Sequence, residues 1–348
     1  MKYLSEKVKQ LAPYTPGLQC NEGDWIKLNT NENPYPPSPH VQAAVAAVDP
    51  ARLRLYPDGD CIQLCAAIAD VLNVGADNVF CGNSSDEVLA LAFQAFFSGK
   101  TVAMPDISYG FYPVWSHMYD VTVRIIPVAD NLHINAADYA NNAGVVIANP
   151  NSPTGTALPL CEIEGILQRN PDGVVLMDEA YIDFAGAGIE SAKALIGKYD
   201  NLLVVRTFSK SYSLAGLRVG FALGNPTLIA ALHKVKNAYN SYPLGRLELA
   251  AAKAAVLDTA YLQETAGRII KTREDTARQL AALGYPCLTS HANFLFMQTA
   301  RAKDLYEYLF QHKILVRHWD KARISDFLRV TIGTNEQMEA FLQCVKQF

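Results

Sequence analysis

Short apolar runs bounded by polar or turn-forming residues recur between residues 78 and 224. They are NVFCG (78–82), TVAMP (101–105), TVRIIPV (122–128), GVVIANP (144–150), GVVLMDE (173–179), NLLVVRT (201–207) and VGFALG (219–224). Runs of this length are typical of buried β-strands, and the segments between them suit helices. The alternation predicts an α/β architecture: a mostly parallel sheet with helices on both faces.

The N-terminal region has a different pattern. Residues 1–40 are rich in Pro, Asn and Tyr, which favours an extended arm with turns over a packed element. Residues 41–53 and 60–74 then show helical periodicity on either side of the turn Tyr-Pro-Asp-Gly at 56–59. We therefore expect the arm to lead into two helices before the strands begin.

After residue 226 the pattern becomes mainly helical. A long helical stretch covers 248–284, and short strand patterns follow at ANFLFMQ (292–298) and FLRVTIG (327–333). This change predicts a second, smaller α+β domain. The predicted organisation is an N-terminal arm over 1–40, a large domain over 41–240 and a small C-terminal domain over 241–348.

The composition fits a globular protein of about two domains and excludes several partners. The chain has 348 residues, 50% of them hydrophobic, and a formal net charge of −4. Its charges are mixed, without the basic run that tracks a phosphate backbone, so no nucleic-acid partner is expected. No apolar run approaches the roughly 20 residues that span a bilayer, and the first residues lack the apolar core of a signal peptide.

The cysteines and histidines show no metal-ligand spacing. The 7 cysteines are scattered without a CxxC pair, and this pattern predicts free thiols in a cytoplasmic protein. The 7 histidines are not arranged as ligands either, so we expect no metal site.

Ligands bind in open α/β sheets outside the carboxyl ends of the strands, so the residues after each apolar run are candidates for chemistry. The run ending at Cys81 is followed by GNSSDE (82–87), which opens a helix. Ser84 and Glu87 match a capping box, which is a local role. The free N–H groups of a helix N-terminus, with hydroxyls nearby, also bind phosphate. The two roles are compatible.

Two further strand ends carry polar groups. The segment NPNSPTG (149–155) puts amides and hydroxyls at the rim, although its residues are also ordinary turn formers. GVVLMDE delivers Asp178 at the end of an apolar strand, with Tyr181 three residues later. A buried carboxylate needs a partner, which is either a turn that Asp178 caps or a cation in the cleft.

Lys210 follows NLLVVRT, within the stretch TFSKSYSLAGLRVGF (207–221). A lysine just past a strand is usually a solvated loop residue. If it is desolvated, however, its pKa falls and its amine becomes a nucleophile for a carbonyl. Lys210 is then the candidate that needs an aldehyde as its partner.

A phosphate cradle, a carboxylate, a phenol and a lysine at adjacent strand ends meet the needs of pyridoxal 5′-phosphate. Its aldehyde forms a Schiff base with a lysine, and its pyridine nitrogen stays protonated beside a carboxylate. Asp178 suits the ring nitrogen and Tyr181 the ring oxygen. Arg218 and Ser209 suit the phosphate through charge-assisted hydrogen bonds.

These residues resemble those of the fold-type I pyridoxal-phosphate-dependent aminotransferases of the class II subfamily. The resemblance implies a large domain with a mostly parallel mixed sheet flanked by helices, plus a smaller α+β C-terminal domain. It covers nearly the whole chain, with its motifs in family order. They are PYTPG (13–17), LNTNENPYP (28–36), YPDG (56–59), GNSSDE (82–87), PDISYGFY (105–112), NPNSPTG (149–155), DEAYIDF (178–184), TFSKSYSLAGLRVGF (207–221) and VRHWDKARISDFLRVTIGT (316–334).

The resemblance also implies roles for single residues. Lys210 bonds to the cofactor and is the catalytic base, and Tyr109 stacks on the cofactor ring. Tyr56 reaches the cofactor phosphate from the other subunit, which makes a homodimer part of the expectation. Gly216 and Gly220 are expected to let the backbone around Arg218 approach that phosphate. The cofactor-binding residues are expected to be Ser84, Ser85, Asp86, Tyr109, Asn151, Asp178, Tyr181, Thr207, Ser209, Lys210 and Arg218, with Tyr56 from the other subunit.

One position departs from the family pattern. The residue before Pro-Thr-Gly is commonly Asn in these enzymes, and here it is Ser152. This leaves open whether Asn149, Asn151 or Ser152 contacts the ring oxygen of the cofactor. We expect Asn151 to do so.

The resemblance implies transfer of the amino group of L-histidinol phosphate to 2-oxoglutarate, which gives imidazole acetol phosphate and L-glutamate in histidine biosynthesis. Arg329 is like the family's carboxylate-binding arginine, and its planar guanidinium suits phosphate and carboxylate in turn. The other expected substrate residues are Tyr14, Asn33, Tyr242 and Arg317. Two alternatives with similar motifs are an aromatic amino-acid aminotransferase and a threonine-phosphate decarboxylase.

Overall fold

The computed structural model describes residues 2–20, 23–186 and 188–348. The α-helices are α1 (Glu6–Gln10), α2 (Pro39–Ala46), α3 (Ile62–Leu72), α4 (Ser84–Ala92), α5 (Tyr112–Met118), α6 (Leu160–Arg169), α7 (Pro226–Tyr239), α8 (Arg246–Leu257), α9 (Thr259–Ala282), α10 (Ala302–Gln311) and α11 (Asn335–Gln347). The strands are β1 (Ile26–Lys27), β2 (Val79–Asn83), β3 (Thr101–Pro105), β4 (Thr122–Ile126), β5 (Gly144–Ala148), β6 (Val174–Asp178), β7 (Leu202–Thr207), β8 (Val219–Gly224), β9 (Phe294–Gln298), β10 (Ile314–Leu315), β11 (Arg317–His318) and β12 (Phe327–Thr331).

The seven predicted strands between residues 78 and 224 form one sheet, in the order β2-β8-β7-β6-β5-β3-β4. The pairs from β7 through β6, β5 and β3 to β4 are parallel. Strand β8 runs antiparallel to both of its neighbours, β7 and β2. The predicted mostly parallel mixed sheet is therefore confirmed.

Helices cover both faces of this sheet, and side chains alternate between the two faces along each strand. On β6, Val175 and Met177 belong to one core cluster and Leu176 to the other. The same alternation places Asp178 on the Leu176 face, toward α5. The local strand pattern thus decides which helix Asp178 meets.

A second, smaller core forms around an antiparallel sheet in the order β11-β12-β9. Part of the N-terminal arm joins it, because β1 pairs in parallel with β10. Helix α8 lies after the predicted boundary at residue 240, and it packs against α2 and α3 in the core of the large sheet. The predicted domain boundaries stay predictions.

Several predicted helices differ in detail from the structure. The helix expected over 41–53 divides, because Pro50 disfavours a helical conformation at Asp49, whose side chain caps a 3-10 turn. The long stretch over 248–284 divides at Asp258, which accepts from the N–H of Tyr261 and caps α9. The capping box expected at Ser84 is wrong, since Asn83 precedes the helix and its own N–H donates to Glu87.

No helix in the described part of the chain is long and apolar enough to cross a membrane. All 7 cysteines are free thiols. Among the residues that the structure describes, no cluster of three or more His, Cys, Asp or Glu side chains could hold a metal ion.

Candidate active site

The carboxyl ends of β5, β6 and β7 lie side by side, because Ala148 pairs with Asp178 and Asp178 with Val205. Loops leaving this edge, the N-terminal arm and the small sheet enclose a cavity of about 590 Å³. This is where an open α/β sheet binds its ligand. The sequence-predicted residues that line the cavity are Tyr14, Ser85, Asp86, Tyr109, Asp178, Tyr181, Thr207, Ser209, Lys210, Arg218, Arg317 and Arg329.

Ser84, Asn33 and Asn151 lie behind the cavity wall. The N–H of Ser84 donates to the carbonyl of Arg218 at 2.8 Å. The amide of Asn33 donates to the carbonyl of Lys210 at 3.0 Å. The amide of Asn151 is engaged by neighbouring main-chain and hydroxyl groups. These three residues support the wall in this structure, and their predicted ligand contacts stay predictions.

Of the three candidates for the ring-oxygen contact, Ser152 lines the cavity. Its hydroxyl accepts from Arg329 Nη1 at 3.2 Å. Asn149 uses its amide on the main chain of Leu158, and Asn151 is engaged as described above. Ser152 therefore has a role in orienting Arg329 that the sequence did not indicate.

Tyr56 and Tyr242 lie away from this cavity. Their rings stack with centroids 4.6 Å apart, and both side chains are exposed. A single chain thus does not bring them to the other predicted residues. The proposed reach of Tyr56 needs a second chain, and a substrate contact for Tyr242 stays a prediction.

Asp178 ends β6 and lines the cavity from a buried position. Burial raises the pKa of its carboxyl to about 6, against the effect of hydrogen bonds from Tyr112 and from the N–H of Ala180. Neither of these partners carries a positive charge. A cation that entered the cavity beside Asp178 would offset the cost of burying its charge.

Lys210 lies just past β7 and lines the cavity. Its Nζ donates to the carbonyl of Thr30 at 3.2 Å and lies 5.8 Å from the centroid of the Tyr181 ring. The next residue, Ser211, donates its hydroxyl to Asp183 at 2.5 Å. Lys210 is therefore a fixed group of the cavity and not the solvated loop lysine of the alternative interpretation.

Buried charges fix the strand ends behind Lys210. Arg206 on β7 pairs with Glu179 at 3.0 Å and with Asp183 at 3.6 Å. Glu179 also accepts from Ser191, so its carboxylate is fully engaged. Because breaking a buried ion pair leaves an uncompensated charge, this cluster holds β6 and β7 together at the point where Asp178 and Lys210 leave the sheet.

The hydroxyl of Tyr181 is oriented by the N-terminal arm. Asn31 donates its amide to the Tyr181 oxygen at 2.9 Å. The Asn31 carbonyl oxygens accept from Thr331 on β12 and from Asn293. Since the Tyr181 oxygen already accepts one hydrogen bond, its own proton is available to a ligand in the cavity.

One cation and several hydroxyls lie close together where α4 begins. Arg218 donates to Asp86 Oδ2 at 2.7 Å, and the Tyr109 hydroxyl donates to Asp86 Oδ1 at 2.9 Å. The hydroxyl of Thr207 accepts from the N–H of Ser209 at 3.1 Å. A guanidinium and hydroxyls at a helix N-terminus form an anion-binding combination.

Gly220 on β8 allows the start of α4 to approach the sheet. A Cβ there would lie 2.2 Å from Ser85 N and 2.3 Å from the carbonyl carbon of Ser84. A Cβ on Gly216 would meet no atom within 4 Å. A side chain at Gly220 would therefore collide with the start of α4, whereas Gly216 faces open space. The expected approach of this backbone to the cofactor phosphate stays a prediction.

Arg329 on β12 presents a half-buried guanidinium to the cavity. It donates to Ser152 at 3.2 Å and to the carbonyl of Asn29 at 2.8 Å, while its buried Nε has no hydrogen-bond partner within the described ranges. The rings of Phe294 and Trp319 lie 5.4 and 5.3 Å from it. Burial lowers the pKa of this guanidinium. No carboxylate of the described residues pairs with Arg329, so its charge is free for an anionic ligand.

Two more cations and an aromatic wall surround this region. Arg317 donates to main-chain carbonyls of the N-terminal arm at 3.1 and 3.3 Å. Lys321 donates to the carbonyl of Asp106 at 2.7 Å. Tyr14 stacks on Phe111 with ring centroids 4.4 Å apart. The cavity therefore accepts a ligand with both an anionic group and a flat ring.

The sequence interpretation missed Asn31, Tyr112, Trp319 and Lys321. Each lies inside a motif quoted for the resemblance, and this location was the only feature of the sequence that pointed to a role in the site. Their roles depend on distant partners: Asn31 contacts a residue 150 positions away, and Tyr112 contacts one 66 positions away. Spacing along one element does not reveal such pairs.

The residues present fit pyridoxal 5′-phosphate. Asp178 is a desolvated carboxyl without a cationic partner among the residues that the structure describes, and the protonated pyridine ring would supply one. Arg218 and the start of α4 suit its phosphate, and Lys210 lines the same cavity. The donor set therefore matches the charged groups of this cofactor.

The fold and the site match those of a known class of enzymes. A family model of aminotransferases of class I and II matches residues 23–345. The chain therefore belongs to the class I and II aminotransferases, and the family predicted from the motifs is confirmed.

Individual relatives of this chain are named for one activity within the class. A histidinol-phosphate aminotransferase of Acinetobacter baumannii (strain SDF) is 49% identical, over 100% of this chain and 97% of that protein. One from Marinomonas sp. (strain MWYL1) is 49% identical over 99% of each chain. The crystal structure of histidinol-phosphate aminotransferase from Sinorhizobium meliloti in complex with pyridoxal-5′-phosphate has a TM-score of 0.89, at 23% identity over 100% of this chain and 97% of that chain. That structural likeness shows the fold.

Proposed function

We propose that this aminotransferase moves the amino group of L-histidinol phosphate to 2-oxoglutarate, with pyridoxal 5′-phosphate as its cofactor. The observation that carries the proposal is the half-buried guanidinium of Arg329, which has no ion-pair partner among the described residues and lies in the same cavity as Lys210 and Asp178. Full-length relatives at 49% identity named histidinol-phosphate aminotransferase support the choice of substrate.

Each part of the cofactor has residues that suit it. Asp178 would hold the ring nitrogen, and Tyr181 would donate to the ring oxygen. The phosphate would bind to the start of α4 with Arg218. The bound cofactor supplies an aldehyde for the amino group and a cationic ring that withdraws electrons from the carbon bearing it. The other residues proposed around the cofactor are Ser84, Ser85, Asp86, Tyr109, Asn151, Thr207 and Ser209.

Lys210 would be both the attachment point and the base. Its Nζ would take the proton from the substrate carbon that bears the amino group and later return a proton on the way to product. The hydrogen bond to the Thr30 carbonyl and the fixed Ser211–Asp183 contact hold this amine beside the cavity. A positioned base needs little reorganisation, so these contacts favour the proton transfer.

Arg329 would bind the anionic group of each substrate in turn. Planar guanidinium groups bind phosphate and carboxylate in a bidentate manner, so one residue serves both half-reactions. Arg317 and Tyr14 line the same cavity and would assist, with Asn33 and Tyr242 as further candidates. Because Arg329 has no competing carboxylate among the described residues, ligand binding breaks no ion pair.

A homodimer would complete the site. Tyr56 and the nearby Leu53, Ile62 and Leu257 are exposed apolar side chains. The segments that carry them are neighbours, since Arg246 of α8 donates to the main chain of the 52–56 segment. Such a patch suits burial against a second copy, which would bring Tyr56 to the neighbouring phosphate site. The free cysteines support a location in the reducing cytoplasm.

An assay of the pure protein tests the substrate. Histidinol phosphate, phenylalanine and threonine phosphate are each supplied with and without 2-oxoglutarate. The proposal predicts glutamate formation from histidinol phosphate with the highest kcat/KM. Preference for phenylalanine would establish the aromatic alternative, and release of carbon dioxide from threonine phosphate would establish the decarboxylase.

The substitution Arg329→Lys tests the anion site. Because lysine cannot form the bidentate pair, kcat/KM for both histidinol phosphate and 2-oxoglutarate should fall by roughly 10- to 100-fold. Arg301→Lys, at an exposed residue, is the matched control and should leave both values unchanged. A loss confined to one of the two substrates would contradict a shared anion site.

A further inference from the structure

Asp178 is held by a side chain from a different element. Tyr112, the first residue of α5, donates its hydroxyl to Asp178 Oδ2 at 2.8 Å. The main-chain N–H of Ala180 donates to Oδ1 at 3.2 Å. In the described ranges of the chain, no other side chain donates to this carboxyl. Tyr112 has a relative exposure of 1% and Asp178 of 5%, so water is largely excluded from their contact.

The orientation of the Tyr112 ring is fixed by its neighbours. The ring stacks on Phe93 with centroids 6.2 Å apart and meets Tyr109 edge-on at 5.6 Å. Trp115 packs on a further side. A buried phenol must satisfy its hydroxyl, and Asp178 is the acceptor that this packing provides.

The charges around Asp178 make this donor important. Burial opposes ionisation of its carboxyl, and the negative charges of Asp86 on α4 and Glu179 beside it act in the same direction. Tyr112 and the Ala180 N–H act in the opposite direction. The cations Lys210 and Arg218 line the same cavity, and neither bonds to Asp178.

We propose that Tyr112 is a positioning residue for the cofactor's ring nitrogen: its hydroxyl stabilises the ionised form of Asp178 and fixes the carboxyl that must accept the ring N–H. The inference rests on the proposed role of Asp178. It assigns to Tyr112 an effect on ring-nitrogen binding, transmitted through one hydrogen bond. Tyr112 itself does not line the cavity.

The test measures binding and not turnover. The full chain, freed of cofactor, is titrated with pyridoxamine 5′-phosphate, which forms no bond to Lys210 and carries a proton on its ring nitrogen near neutral pH. The pKa of Asp178 is about 6, so wild-type affinity should fall as the pH drops below that value. In Tyr112→Phe the fall should begin about one pH unit higher, because the hydrogen bond that favours the charged carboxyl is lost.

The result that identifies this role of Tyr112 is a loss of ligand affinity that depends on pH. Affinity of Tyr112→Phe should be about tenfold below wild type near pH 5 and within about twofold of it near pH 8. A profile identical to wild type, or a loss that is equal at every pH, overturns the proposal, since the second result is that of a packing defect. Tyr139→Phe is the matched control, because Tyr139 is a buried tyrosine whose hydroxyl has no hydrogen-bond partner in the described part of the chain.

One ligand analogue and one further substitution distinguish a failure of this inference from a failure of the proposed function. An analogue with carbon in place of the ring nitrogen should bind wild type and Tyr112→Phe equally at all pH values. The phosphate of both ligands also gains a proton near pH 6, so Asp178→Asn should remove the part of the pH dependence of pyridoxamine 5′-phosphate binding that the analogue does not share. If Asp178→Asn leaves it intact, the role of Asp178 is wrong and the inference falls with it. If only Tyr112→Phe has no effect, the inference alone is wrong.

A measurement on wild type covers the case in which Tyr112→Phe does not fold. With ¹³C-labelled carboxyl and tyrosine ring carbons, the Tyr112 ring carbon bearing the hydroxyl should shift with the same midpoint as the Asp178 carboxyl, near pH 6. A Tyr112 signal that does not move through the Asp178 titration would contradict the coupling.

Discussion

The carboxyl of Asp178 shows how a single residue can serve the site at the expense of the fold. In the unfolded chain it ionises near pKa 3.8, whereas in the folded, cofactor-free protein burial raises the pKa to about 6. Between these values the folded state binds more protons than the unfolded state, so the free energy of unfolding decreases as the pH rises through this window. Above the window the buried charge costs up to ~3 kcal/mol.

Asp178→Asn should therefore stabilise the cofactor-free protein at neutral pH. We expect its free energy of unfolding to exceed that of wild type by up to ~3 kcal/mol near pH 7, with the difference falling below about 1 kcal/mol near pH 4. Urea unfolding at a series of pH values measures this. Asp77→Asn, at an exposed carboxyl, is the control and should track wild type. Parallel curves for wild type and Asp178→Asn would show that burial does not penalise this charge.

At the scale of elements, the site depends on how closely α4 approaches β8. Gly220 faces the backbone of Ser84 and Ser85 across a gap that no side chain fits. The same backbone begins the helix whose N-terminus is proposed to bind the cofactor phosphate. The lack of a side chain at position 220 is therefore needed both for the packing of α4 on β8 and for the proposed phosphate site.

Gly220→Ala should separate these two elements. Because the added methyl meets backbone and not a movable side chain, we expect a loss of about 1–3 kcal/mol in stability and a weaker affinity for pyridoxamine 5′-phosphate. Gly216→Ala, in the same segment but facing open space, should change stability by less than about 0.5 kcal/mol. Thermal unfolding and cofactor titration of both variants check this, and equal effects would refute the steric account.

The elements also explain what the sequence could predict. Asp178, Thr207 and Lys210 were predictable because strands of a parallel sheet end at the same edge, so strand ends suffice to bring them together. Tyr112 was not, because its contact with Asp178 depends on which face of β6 the carboxyl takes and on how α5 packs there. The two-residue strands β1 and β10 were missed since runs so short carry no periodicity.

At the scale of the whole molecule, the arm, the large sheet and the small sheet all contribute to one cavity. Asn31 from the arm contacts both Tyr181, which follows β6, and Thr331 of β12, so the arm ties the end of a large-sheet strand to the small sheet at the site. Tyr56 lies outside this arrangement within one chain. In the proposed dimer, Tyr56 would reach the cavity of the other chain.

Mixing two inactive variants tests this arrangement. If Tyr56 acts across subunits, hybrids of Lys210→Ala and Tyr56→Ala chains contain one intact site, and random exchange should restore about a quarter of wild-type activity. If Tyr56 acts within its own chain, no hybrid site is intact and activity stays absent. Each variant mixed with itself is the control.

The central claim is that Lys210 carries the cofactor, and covalent trapping tests it most directly. Protein incubated with pyridoxal 5′-phosphate is reduced with borohydride and digested, and the peptides are weighed by mass spectrometry. We predict one phosphopyridoxyl group, on the peptide containing Lys210, and none on that peptide in Lys210→Ala. Stoichiometric label on another lysine, such as Lys321 in the same cavity, with Lys210 unmodified, would contradict the account.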